Sequence, residues 1–513
     1  MTGSDADPAA LRAAVEAWAR GEVQGRELAD DGRRRLVRIE SAAGALVVKL
    51  FRPDRAHPVL GRLKRLVGRS PAQKERRALG ALHAAGVPVP QPVSLPGPAR
   101  GDPERLATRY LEGSSLLDAL PAQAAARRRL LEEVGGAVRR LHDAGFAHRD
   151  LHAGNVWVSD GRAVLLVLQR AGPGRGGARN RDLAWLDYSL WRRLSRPDRL
   201  RLRAATLGLQ RPFDAAARAR LRAVGEAARR RAEQHARSRT RRCLRTGRRF
   251  ALASHGGLAG FRLRQLDAER LTRILDAHAE ALASDDARVL KEDGRSRISA
   301  ISDDGLGTVV KESPARSLGR ALADALRGSA GRRAWLGGHG LEARGVGAAR
   351  PLAFLERRRL GLPVTSLVVL EDLRPAQPAD TSTLEPRAVV EACGRLAQAL
   401  HRRGVDHGDL KASHVYVRAD ADGIATWLLD LDGVRFRGRL DDERRLRALA
   451  QLNASLPDRF PDAARLAAFR RYAGALPFRS GSRDALHQVV TRSLTRSHRW
   501  SGTSCASDTK KGN

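Results

Sequence analysis

At 513 residues with 42% apolar side chains, the chain is long enough for several domains and too apolar to be a disordered one. It holds no run of 18 or more uncharged apolar residues, which excludes a helical membrane span. Its three cysteines, Cys243, Cys393 and Cys505, are too few and too scattered for a disulfide framework or a zinc site and fit a reducing cytoplasm. The formal charge of +37 combines arginine spread over solvated faces with a preference for anionic partners, namely nucleic acid, acidic lipid or phosphorylated sugar.

The N-terminal stretch "MTGSDADPAALRAAVEAWARGE" lacks the basic and then apolar pattern of a secretion signal. Asp7 and Pro8 instead predict the cap and first residue of a helix. Alternating strands follow at 33–40 and 44–51, then a helix in "PAQKERRALGALHAAG" (71–86) and strands in 87–95 and 105–113. A longer helix carries Leu130, Val134, Ala137, Val138 and Leu141 on one face. It leads into "HRDLHAGNVWV" (148–158), a further strand "AVLLVLQRA" (163–171) and an Arg-rich helical region.

The same order then recurs. Strands are predicted at 295–302 and 306–312, joined by the hairpin turn Asp304-Gly305. A helical stretch at 316–340 precedes strands at 349–355 and 365–373. The next helix has Val389, Cys393, Leu396 and Leu400 on one face, which makes Cys393 a buried filler rather than a reactive thiol. It runs into "HGDLKASHVYV" (407–417) and "WLLDLDGVRF" (427–436). The segments 141–158 and 400–417 share the pattern L-H-x-x-G-x-x-H-x-D-L-x-A-x-x-V-x-V at an offset of 259 residues. The strand endings "VVK" at Lys49 and Lys311 are 262 apart. Two landmarks at nearly one offset indicate two copies of one fold. The expected division is 1–252, 253–505 and a disordered tail, 506–513. The order of strands, one helix, strands and a helical half is α+β, the plan of two tandem protein-kinase-like domains, each with a small β-rich lobe and a larger helical lobe.

That plan has a defined chemistry. Phosphoryl transfer needs a strand lysine on the nucleotide phosphates, a helix glutamate to orient it, a loop aspartate as base, and an aspartate with an asparagine to hold metal. Lysine is rare here: arginine outnumbers the eight lysines roughly tenfold, so each lysine marks a chosen position. Copy one offers Lys49, Glu75, Asp150 and Asn155. Matching "LLVLQ" to "LLDLD", however, puts Val167 at the metal aspartate, and valine cannot ligate magnesium. Copy two offers Lys311, Asp409 and Asp430, with His414 in place of the asparagine. Ala334 or Trp335 stands where Glu75 aligns, and Asp324 is a displaced partner for Lys311. Gly305 and Gly307 form a single G-x-G for the phosphate loop.

These motifs, with "QKERRALGALHAAGVPVPQPV", "RDLAWLDYSL", "RRAWLGGHGLEARGV" and the ending "TRSHRWSG", resemble the lipopolysaccharide kinase family (Kdo/WaaP type) in a tandem form. The resemblance implies a cytoplasmic kinase, peripheral at the inner face of the membrane. It would use ATP and Mg2+, with Mn2+ as the alternative ion, on a heptose or Kdo-like sugar of the lipopolysaccharide core. It also implies that His414 is a family trait. Carried over, Lys311, Gly305 and Gly307 bind nucleotide, Asp409 is the base, and Asp430 with His414 holds metal. Copy one carries Lys49, Glu75, Asp150 and Asn155 as a degenerate set. The basic segments 61–77, with Leu63, Leu66 and Val67 in an apolar stripe, and 228–249 suit an anionic glycolipid at a lipid surface. Two alternatives stay open: a pseudokinase scaffold that binds without transfer, and a small-molecule phosphotransferase of the aminoglycoside or choline type. Nucleic acid is disfavoured by an aromatic content of 4% with no aromatic-plus-basic pattern.

Overall fold

The computed structural model describes residues 7–32, 34–52, 63–95, 103–175, 177–191, 193–284, 286–293, 296–314, 317–421 and 423–495. They form two compact units, Met1–Ala232 and Glu233–Asn513. The predicted tail at 506–513 and most of the ending "TRSHRWSG" lie outside the described residues.

In the first unit, helix α1 (Pro8–Ala19) starts as expected: the Asp7 carboxylate accepts from the Ala9 N–H at 2.9 Å, with Pro8 at the first position. Strands β1 (Gly25–Asp30), β2 (Arg34–Ile39), β3 (Leu46–Phe51), β4 (Pro92–Val93) and β5 (Glu104–Arg109) make an antiparallel sheet in the order β1-β2-β3-β5-β4. Leu11 and Val15 of α1 pack with Val37, Ile39, Leu46 and Val48 as the core of this lobe. Helix α2 (Pro71–Ala84) begins with a reciprocal cap between Ser70 and Gln73, and the Ser70 hydroxyl donates to Glu104 on β5 at 2.6 Å. The helical lobe is built on α3 (Ala124–Asp143). All five residues predicted for its buried face are buried, each of the large ones contributing about 1.5–3 kcal/mol. Short strands β6 (Val156–Ser159) and β7 (Arg162–Leu165) follow the loop. Helices α4 (Ala178–Leu190), α5 (Arg196–Leu207) and α6 (Ala215–Arg242) come next, and the division between the units falls inside α6.

The second unit repeats this plan with a larger sheet. Its strands are β8 (Phe250–His255), β9 (Leu258–Leu263), β10 (Val289–Asp293), β11 (Ser296–Asp303), β12 (Leu306–Pro314), β13 (Pro351–Arg359) and β14 (Leu362–Glu371), ordered β8-β9-β13-β14-β12-β11-β10. The β11–β12 hairpin turns at Asp304 (φ 42) and Gly305 (φ 77), the two left-handed residues that the Asp-Gly signal predicts. Helix α7 (Ala268–Ala283), capped by Asp267, is the counterpart of α1. The single helical stretch expected over 316–340 is two helices, α8 (Leu318–Arg327) and α9 (Ala330–Arg344). Gly328 (φ 88) breaks it, and the Ser329 side chain caps the new start. Ser329 also donates to Glu356 at 2.5 Å, as Ser70 does to Glu104, so α9 is the equal of α2. The helical lobe holds α10 (Pro386–Arg402), strands β15 (Val415–Asp420) and β16 (Gly423–Leu428), and helices α11 (Asp442–Ala454), α12 (Asp462–Ala475) and α13 (Ser482–Leu494). Val389, Cys393, Leu396 and Leu400 are all buried in it. Burial pushes the Cys393 and Cys243 thiols up to about 12, so neither is reactive, and both are free. Cys505 lies outside the described residues.

After β7 and after β16 the chain makes the same sharp bend into a single 3-10 turn. The bending residue is left-handed in both: Val167 at φ 59, ψ 60 and Asp430 at φ 52, ψ 59. Two identical kinks confirm the alignment of Val167 with Asp430. A β-branched residue is costly there, since its Cβ substituents crowd the backbone, by about 1–3 kcal/mol. Aspartate and asparagine tolerate the left-handed region better. Val167→Asn is therefore expected to stabilise the first unit by about 1 kcal/mol, read as a melting temperature higher by about 2–4 °C. A lower melting temperature would show that packing of the valine outweighs the strain.

Candidate active site

In the first unit, β3 and α2 bring Lys49 and Glu75 together. The ammonium donates to the Glu75 carboxylate at 2.6 Å, and both side chains are largely buried. The other Glu75 oxygen has no hydrogen-bond partner among the described residues. In the 148–158 loop, Asn155 donates its side-chain N–H to the Asp150 backbone carbonyl at 2.9 Å. Asp150 has Arg170 at 3.8 Å. Asp182 of α4 accepts the backbone N–H groups of His148 and Arg149, both at 2.7 Å, and so fixes the loop. The site thus keeps every expected residue except a carboxylate at 167.

The second unit makes the opposite substitution. Ala334 occupies the place of Glu75, because it stands five residues after the Ser329 cap as Glu75 does after Ser70. Lys311 instead donates to Asp430 at 2.7 Å. The displaced partner expected for Lys311 does not serve: Asp324 is taken by Arg333 at 2.8 Å and Arg320 at 3.3 Å. Arginine wins this carboxylate because α8 and α9 aim two guanidinium groups at it, while Lys311 sits on β12. Burial disfavours the Lys311 charge, but Asp432 and then Asp430 more than compensate, and its pKa is raised. Burial likewise opposes ionisation of Asp430, and the charge and hydrogen bond of Lys311 overcome it, so that carboxyl lies below its usual range.

His414 takes over the structural contact of the asparagine. Its Nδ1–H donates to the Asp409 backbone carbonyl at 2.9 Å, as Asn155 does to Asp150. Nδ1 therefore carries a proton, and Nε2 is the nitrogen that could act as a ligand. One ligand atom each from Asp409, His414 and Asp430 lies within 4.8 Å of the others. This is the one such group of three among the described residues. Two carboxylate oxygens and an imidazole nitrogen fit a divalent ion, magnesium if oxygen ligands dominate and manganese if the imidazole takes part. The loops share one more support. His407 donates Nε2–H to the Leu429 carbonyl at 2.9 Å and His148 to Leu166 at 2.8 Å. Burial pushes both imidazoles down, so they stay neutral.

Several residues escaped the sequence reading. Lys411 reaches Asp409 at 2.9 Å, and Gln451 of α11 donates to Asp409 at 3.2 Å. The rarity of lysine could have found Lys411; Gln451 carries no sequence signal. Ser455 accepts the Ala412 N–H at 2.7 Å, matched by Ser189 and Ala153 at 2.9 Å in the first unit. Gly305 forms the turn that opens the strand bearing Lys311. Gly307 lies two residues on, where an added Cβ would approach Asp372 at 3.1 Å. The site therefore presents a cation over a carboxylate pair, with Asp409 held by a lysine and an amide.

The sequence profile described as "Lipopolysaccharide kinase (Kdo/WaaP) family" matches residues 20–205 and 329–472. Among solved structures, WaaP in complex with acyl carrier protein is 23% identical, with 48% of this chain and 97% of that one covered and a TM-score of 0.33. The Rio2 kinase–ADP/Mg2+–phosphoaspartate complex from Chaetomium thermophilum is 16% identical, with 42% and 75% covered and a TM-score of 0.29. No curated protein matches in sequence. The matched profile covers more than half of the residues and touches both copies, and the chain belongs to the lipopolysaccharide kinase (Kdo/WaaP) family.

Proposed function

We propose that the chain transfers a phosphoryl group from ATP to a hydroxyl of a lipopolysaccharide inner-core sugar, heptose or Kdo-like, and that the second copy does the chemistry. The observation that carries this reading is the convergence of Asp409, His414 and Asp430 within 4.8 Å. Asp430 and His414 would hold a divalent ion, which when bound neutralises charge on the nucleotide phosphates. Lys311 leaves Asp430 for the α- and β-phosphates when nucleotide enters. Asp409 accepts the proton of the sugar hydroxyl, and Lys411 beside it offers a cation to the transferred group. The first copy, 1–252 in this reading, is a degenerate partner because Val167 offers no ligand. The rival reading, binding without transfer, draws on Ala334: nothing on α9 replaces Glu75 to hold Lys311 in its working position.

The helix α8 supports a site at an anionic bilayer. Leu318, Leu322 and Leu326 recur every fourth residue and are 70%, 51% and 90% exposed, flanked by Arg320 and Arg327. Leu63, Leu66 and Val67 are exposed ahead of α2 in the first copy, next to Lys64, Arg65 and Arg69. Apolar stripes bordered by arginine suit the boundary of an acidic lipid surface. No helix among the described residues is long and apolar enough to cross a membrane.

Three outcomes are expected. With labelled ATP and purified core glycolipid, Asp409→Ala and Asp430→Ala each lower transfer by about 100-fold or more, while Asp150→Ala leaves it intact. Persistence of transfer in both second-copy variants would move the chemistry elsewhere; nucleotide binding with no transfer in the parent would favour the scaffold. His414→Asn keeps the contact to the Asp409 carbonyl, so it retains magnesium-supported transfer, and His414→Ala weakens Mn2+ binding about tenfold or more by spin-resonance titration. Leu322→Asp with Leu326→Asp reduces co-sedimentation with vesicles of anionic phospholipid about tenfold; unchanged binding would remove α8 from the membrane contact.

A further inference from the structure

A cavity of about 660 Å3 opens in the first unit between α2 and residues 169–173. Four cations line it, Lys74 and Arg77 from α2, Arg149 from the loop and Arg170 from the 3-10 turn, and among the described residues no carboxylate does. Ala78 and Ala81 keep the helix wall low. Arg149 is anchored by donating to the Pro173 carbonyl at 2.9 Å, across Gly172, where an added Cβ would stand 3.3 Å from the guanidinium. Arg170 has Asp150 at 3.8 Å, and Arg77 donates to the backbone carbonyls of Gln73 and Gly68.

Arginine abundance across the chain does not account for this basin, because the second copy supplies an internal control. Counted from the shared helix cap, the shared loop and the shared kink, Lys74, Arg77, Arg149 and Arg170 correspond to Arg333, Leu336, Gly408 and Gly433. Three of the four cations are gone there, and Arg333 is neutralised by Asp324 at 2.8 Å and Asp432 at 3.9 Å. Arg149 is the sharpest case. Its φ is 62, in the left-handed region, and Gly408 has φ 82 at the same place. The first copy holds an arginine in a backbone state that suits glycine, at a cost of about 1 kcal/mol or more. Asp150 offsets part of the charge of Arg170, and the like charges that are left around one hollow repel one another unless an anion lies among them.

We propose that this basin binds a phosphate group, a phosphomonoester or diphosphate, and that the first unit serves the protein as an anion-binding module. Guanidinium forks grip phosphate oxygens in pairs, which gives Arg149 and Arg170 the leading share of the affinity and makes binding fall with added salt. The assignment does not depend on which copy transfers phosphate.

The test is calorimetric titration of the full chain with inorganic pyrophosphate, and separately vesicle binding with and without phosphatidic acid. The pair Arg149→Gly and Arg170→Gly installs the residues of the second copy and relieves the strain at 149, so the fold is retained. Arg77→Leu does the same on α2. A control pair, Arg387→Ser and Arg483→Ser, removes two exposed charges from helices of the second unit. The expected result is a loss of about tenfold or more in the Arg149/Arg170 pair, a smaller loss in Arg77→Leu and none in the control. Loss seen with pyrophosphate identifies a soluble ligand, and loss seen only with phosphatidic acid identifies a lipid headgroup. An equal loss in the control pair, or equal binding of parent and Arg149/Arg170 variant with both probes, overturns the proposal.

Discussion

A buried lysine on a strand must have a carboxylate, and each copy of this fold has one within reach. In the first copy Lys49 takes Glu75 on the neighbouring helix. In the second, where Ala334 stands in that place, Lys311 takes Asp430 across the cleft. A lysine held by the helix leaves the kink free for a metal carboxylate, which the first copy lacks. In the proposed function, a lysine held by the kink carboxylate is a resting arrangement that an incoming nucleotide would have to open.

The backbone records this history better than the side chains. The left-handed bend at Val167 has no use for a valine, and it persists because the 3-10 turn and the Leu166 carbonyl that holds His148 are built around it. The bend at Asp430 has the same shape and a residue that tolerates it. His414 is the converse: a changed side chain that preserves the old contact, donating to the carbonyl that asparagine would have used.

Much of this was legible in the sequence, and for physical reasons. Period-matched apolar faces gave the helices around 130–141 and 389–400, and an Asp-Gly pair gave the hairpin before Lys311. The shared loop pattern and strand lysines gave the duplication. The pairing of Lys49 with Glu75 followed from the strand lysine and helix glutamate that phosphoryl transfer calls for. The break at Gly328 was hidden because a glycine inside a run of helix formers does not announce a new cap. The fate of Asp324 was hidden too, since ion pairing depends on which of several arginines the helices aim at it. Asp182, Gln451 and the arginine basin are long-range meetings that no local pattern encodes.

The central claim is that metal chemistry belongs to the second copy because Asp430 stands where Val167 does in the first. The most direct measurement is the stoichiometry of Mn2+ binding to the full chain in the presence of nucleotide. This account predicts one site per parent chain, none in Asp430→Ala and two in Val167→Asp, which completes a set with Asp150 and Asn155. A site that survives Asp430→Ala, with no site added by Val167→Asp, would contradict it.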